Sequence, residues 1–116
     1  MSEVYDARYT NIVDGDTIDI VVNQGLGTYQ ELRIRLANVD TAETYGVSHD
    51  SAEYKRGMKH KQYVTEWLQT DTNTEWPLTA VIHSQGKYGR YITTLKRNDG
   101  AVLNDDIAAT FPSTSR

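Results

Sequence analysis

Two short stretches of the chain concentrate carboxylates at spacings that suit a cation. In Asp14-Gly15-Asp16-Thr17 the acids are separated by one residue, so in an extended chain they project to the same side. Gly15 between them admits a backbone conformation closed to other residues. In Asp40-Thr41-Ala42-Glu43-Thr44, Asp40 and Glu43 can reach one ion, and a backbone carbonyl can add a further oxygen. Oxygen-only ligands suit Ca²⁺ or Mg²⁺, and a flexible loop with mixed ligands suits Ca²⁺ better. Each stretch also has a plainer reading. The first makes a β-turn whose Asp side chains bond to their own backbone, and the second an Asp-Thr loop with Glu43 solvated. Arg35 precedes Asp40 by five residues, and Arg90 closes Tyr88-Gly89-Arg90 just after Lys87. A guanidinium is a planar fork that grips phosphate at two points and spreads charge over a transition state. Taken singly, either arginine also fits an exposed ion pair of little energetic consequence.

The elements that must position these residues follow from periodicity. Residues 8–13 and 16–22 are β-branched and partly alternating, which predicts two strands joined at Asp14-Gly15. Gln24-Gly25-Leu26-Gly27 signals a turn. Residues 29–37 alternate, with Leu32, Ile34 and Leu36 on one face and Arg33 and Arg35 on the other. Residues 41–50 read as a surface loop. Ser51 to Gln69 reads as a helix, with Ser51 as its cap, Glu53 in its first turn, and Gly57, His60, Lys61, Val64, Trp67 and Leu68 along one face. Further strands are expected over Leu78 to His83 and Arg90 to Lys96, with a turn at Asn98-Asp99-Gly100. A second helix is expected over 102–110, followed by a frayed tail. Three meander strands, a helix and two more strands match the order of an OB-fold, a five-stranded Greek-key barrel. The fold class is therefore mainly β with helices, α+β, in a single domain over 1–116.

Composition narrows the function classes. A chain of 116 residues, 38% hydrophobic and 24% charged, is long enough for one domain with a small core. Its longest apolar runs are a few residues, which excludes a membrane-spanning helix and sets membranes aside as partners. The start, Met1 to Asp6, is acidic and lacks an apolar core, so no signal peptide is read there. A cytoplasmic location and secretion after processing both stay open. The absence of cysteine excludes disulfides, thiolate zinc sites and Cys nucleophiles. His49, His60 and His83 show no metal-ligand spacing. The net charge of −4 argues against a broad basic surface. Once Asp14, Asp16, Asp40 and Glu43 are set aside, the other acids balance the 12 Lys and Arg. The acidity is thus concentrated where a hard cation would offset it.

Taken together, the blocks Val13-Asp14-Gly15-Asp16-Thr17, Arg35 through Thr44 and Tyr88-Gly89-Arg90 resemble the three signatures of the staphylococcal nuclease family. A fourth block, Asp99-Gly100-Ala101-Val102-Leu103-Asn104, fits more weakly, and the resemblance spans about Arg8 to Ala109. It implies a Ca²⁺-dependent phosphodiesterase that acts on single-stranded DNA or RNA, cleaving the 5′ P–O bond and leaving 3′-phosphate ends. Asp16 and Asp40 would be Ca²⁺ ligands, with the Thr41 carbonyl as a third. Glu43 would hold or deprotonate the attacking water. Arg35 and Arg90 would clamp the scissile phosphate, with Arg90 also assisting the leaving oxygen. Tyr88 and Lys87 would contact the nucleotide, and Asp14 would shape the turn or stand behind the metal. The alternative implied by the same family is a catalytically silent module that binds nucleic acid or a protein partner.

The chain departs from that pattern in three places. Ala42 stands where the motif usually has Pro, which would stiffen the loop. The segment after Glu43 is short, so Tyr45-Gly46-Val47 leads almost directly into the helix. No third helix follows 102–110. The expectation is an apolar face beside 102–110 without its usual cover, and with it modest stability or a homodimer.

Overall fold

A computed structural model describes residues 2–42, 48–70, 74–86 and 89–114. Five strands close into a barrel in the order β1-β2-β3-β5-β4. They are β1 (Glu3–Asp14), β2 (Thr17–Asn23), β3 (Tyr29–Leu36), β4 (Leu78–Gln85) and β5 (Tyr91–Arg97). All pairings are antiparallel except β3 with β5. Alternation accounts for the interior: Ile18, Ile20 and Val22 from β2 and Leu32, Ile34 and Leu36 from β3 turn inward, while Asp19, Arg33 and Arg35 turn out. This is the α+β, OB-like barrel that the order of elements predicts.

Helix α1 (Ala52–Gln69) begins where the Ser51 hydroxyl accepts the Tyr54 N–H at 3.0 Å. It buries Gly57, His60, Val64, Trp67 and Leu68, five of the six residues that the helical spacing in the sequence placed on one face, while Lys61 is only half-buried. Helix α2 (Leu103–Thr110) buries Leu103, Asn104 and Ile107, and its Asp106 accepts the Trp67 indole N–H at 2.8 Å, joining the two helices. Among the described residues, no helix is long and apolar enough to cross a membrane.

The structure differs from expectation in three places. Strand β1 starts at Glu3, five residues before the predicted Arg8, because Glu3–Ala7 pairs with Leu78–Ile82 and closes the barrel. The tail is not frayed through Thr114. Pro112–Thr114 forms a 3-10 turn, Thr114 is buried, and its carbonyl accepts the Asp40 N–H at 2.9 Å. Among the described residues, the uncovered apolar face expected beside α2 is not seen either. The large apolar side chains that the described residues expose are Val4, Leu26, Tyr29 and Met58, none of them on α2.

Candidate active site

The carboxylate turn and the carboxylate loop meet at one end of β3. Thr17 pairs with Arg35 across β2 and β3, and the Leu36 N–H donates to the Asp16 carbonyl at 2.8 Å. Irregularities in the β1–β2 ladder between Tyr9 and Asn11 and between Ile12 and Asp14 bend the strand into this turn. Asp16 is only 8% exposed. It accepts the Thr17 hydroxyl at 3.0 Å, the Thr41 N–H at 3.2 Å and Arg35 Nη2 at 3.4 Å. The same Nη2 reaches Asp40 Oδ1 at 3.0 Å. One guanidinium nitrogen therefore bridges Asp16 and Asp40, which brings together three of the residues singled out from the sequence.

The chain reaches Asp40 through Ala37-Asn38-Val39. Asn38 has φ +62°, a left-handed turn that Asn tolerates better than most residues. Ala37 is fixed from both sides, its N–H on the Thr93 carbonyl at 2.8 Å and its carbonyl on the Asn104 carboxamide at 2.9 Å. Asn104 also donates to the Thr93 carbonyl and accepts the Leu95 N–H. The fourth sequence block thus contributes a buried brace rather than a site residue.

Arg90 follows Gly89, whose φ is +75°, a conformation that favours glycine. It lines an open groove of about 320 Å³ with Val13, Asp14, Thr17 and Arg33. The parallel pairing of Arg35 with Ile92 sets Arg35 beside the start of β5, which Arg90 immediately precedes. Arg33 makes a two-point contact with Asp19, Nε to Oδ1 at 2.8 Å and Nη2 to Oδ2 at 3.1 Å, and that pairing lowers the Asp19 pKa below its ordinary value. Glu43, Lys87 and Tyr88 lie outside the described residues.

Gly15 has a different reason than its backbone freedom, since its φ is not positive. A Cβ there would stand 2.8 Å from the His60 Cβ and 3.0 Å from Thr41 Cγ2. Glycine is required because helix and loop close directly on the turn. The His60 ring is the residue that sequence reasoning missed as part of the site, because a lone histidine at a buried helical position reads as core. It is 6% exposed, and its Nδ1 accepts the Ala42 N–H at 3.1 Å. Burial pushes its pKa below the usual 6.5, Arg56 acts in the same direction, and Asp16 opposes them.

The oxygens of the residues that meet here are hard ones: the Asp16 and Asp40 carboxylates are drawn together by Arg35, the sequence expectation adds the Thr41 carbonyl, and the buried Thr41 hydroxyl has no hydrogen-bond partner among the described residues. That set fits Ca²⁺ in chemistry. Among the described residues, no three His, Asp or Glu side chains cluster as metal ligands. No family model matches the chain, and no curated protein matches it significantly.

Proposed function

We propose that this chain is a Ca²⁺-dependent nuclease that hydrolyses phosphodiester bonds of single-stranded DNA or RNA, leaving 3′-phosphate ends. The observation that carries the reading is the meeting of Asp16 and Asp40 at the Arg35 guanidinium, beside a groove lined by Arg90. Asp16, Asp40 and the Thr41 carbonyl would hold Ca²⁺, which supplies positive charge to the phosphate and to the attacking water. Arg35 and Arg90 grip the phosphate oxygens as charge builds on them, and Arg90 eases departure of the leaving oxygen. Glu43 orients the water or takes its proton, and Tyr88 and Lys87 contact the nucleotide.

The Asp40 side chain is 53% exposed, so its loss leaves the barrel intact. Asp40→Ala is expected to abolish cation-dependent cleavage with an unchanged unfolding midpoint. Calorimetry that finds Ca²⁺ binding unaltered in that variant overturns the assignment. One observation favours the silent binding module instead: the Arg35 guanidinium already partners both Asp16 and Asp40, so a cation would have to compete with it for those carboxylates. Cleavage by the wild-type protein separates the two readings.

A further inference from the structure

Three consecutive N–H groups of the carboxylate loop are each accepted by a different element. The Asp40 N–H donates to the Thr114 carbonyl of the tail at 2.9 Å, and the Thr41 N–H to the Asp16 carboxylate at 3.2 Å. The Ala42 N–H donates to Nδ1 of His60 on α1 at 3.1 Å. An acceptor Nδ1 is unprotonated, so the ring is the tautomer with its proton on Nε2. The side chain is packed elsewhere as well. Phe111 meets the ring edge-on with centroids 4.6 Å apart, and Gly15 comes so close to the His60 Cβ that a Cβ of its own would stand 2.8 Å from it.

The Ala42 N–H and the Thr41 carbonyl belong to one peptide unit. That unit is planar and trans, so its N–H and C=O point in opposite directions. Fixing the N–H on His60 therefore fixes where the carbonyl points, which is away from the helix. We propose that His60 is a positioning residue for the cation site: by accepting the Ala42 N–H it sets the Thr41–Ala42 peptide plane and aims the Thr41 carbonyl. The hydrogen bond also immobilises Ala42, a position that has no proline ring to do so. What the carbonyl is aimed at rests on the nuclease reading, whereas the setting of the peptide plane does not.

The test uses His60→Phe, which keeps a ring against Phe111 but has no acceptor, and His60→Asn, whose side-chain carbonyl restores one. His60→Leu serves as a second acceptor-free variant if the Phe variant does not fold. Hydrogen exchange at the Ala42 amide is followed by NMR, Ca²⁺ affinity by calorimetry and global stability by thermal unfolding. In the acceptor-free variant, Ala42 exchange is expected to quicken by about tenfold relative to Asp40 and Thr41, as loss of one hydrogen bond implies. Ca²⁺ affinity should fall by about 10- to 100-fold, the usual cost of losing a residue that orients a ligand. His60→Asn should stay close to wild type in both. Equal Ala42 exchange in all variants overturns the proposal, as does faster exchange with unchanged Ca²⁺ affinity. If the wild-type protein binds no Ca²⁺, the nuclease reading fails on its own, and the exchange comparison decides whether His60 sets the peptide.

Discussion

Arg35 serves two carboxylates through a single nitrogen, and its chemistry depends on the planarity of its fork as much as on its charge. Lysine keeps the charge and loses the fork, which separates catalysis from attraction. If Arg35 and Arg90 stabilise the transition state, Arg90→Lys and Arg35→Lys should each lower turnover by on the order of 10²-fold while single-stranded DNA binding changes only a few-fold. Paired titrations of binding and cleavage in Ca²⁺ check this. Parallel losses of both would indicate phosphate attraction alone, which barely distinguishes Arg from Lys. At this scale the residues that carry charge were legible, because Asp16, Arg35 and Asp40 announce themselves by type and spacing. His60 was not, because nothing in a sequence says which loop a helical face will meet. Gly15 was identified for the wrong reason: its turn needs space rather than a special dihedral.

Among the elements, the brace around Asn104 does most to hold the loop in place. Its carboxamide satisfies the Leu95 N–H and two carbonyls from inside the protein, and it is 7% exposed. Asn104→Ala takes this partner from the Leu95 N–H and the Ala37 carbonyl, while the Thr93 carbonyl keeps the Ala37 N–H, and should cost about 2–3 kcal/mol, which urea unfolding would measure. Because Ala37 leads into Asp40, the same variant should weaken Ca²⁺ binding, whereas a loss of stability with full Ca²⁺ affinity would confine the brace to folding. Strand and helix identities were legible because β2, β3 and α1 carry clean periods and Ser51 is a capping residue. The first turn of pairing in β1 was hidden, since Glu3, Val4, Tyr5 and Asp6 read as an acidic tail until Ile82 and its neighbours supply a partner. The order of the packed tail was hidden for the same reason: Thr114 is held by a backbone hydrogen bond to Asp40, which leaves no mark in the sequence.

For the molecule as a whole, two groups give stability a pH dependence of known sign. His60 has a pKa below 6.5 in the folded chain, so the unfolded chain takes up its proton first. Stability from this source is full above about pH 6.5 and is lost as pH falls toward the folded value. Asp19 is also lowered, chiefly by its bonds to Arg33, and its contribution is present above about pH 4 and lost as pH falls through the lowered value. Urea midpoints should therefore decline in two stages on acidification, and His60→Asn should remove the upper one. A midpoint that stays level from about pH 7 to pH 5 would contradict the burial of a neutral imidazole. The barrel itself was legible from the order of strands and helices, whereas the activity rests on where turn and loop meet. The most direct test of that activity is to incubate the purified wild-type protein with end-labelled single-stranded DNA in Ca²⁺ and, in parallel, in chelator. The proposed nuclease reading predicts cut DNA in Ca²⁺, with the 3′-phosphate ends that the family resemblance implies, and intact DNA in chelator; intact DNA at every Ca²⁺ concentration would contradict it.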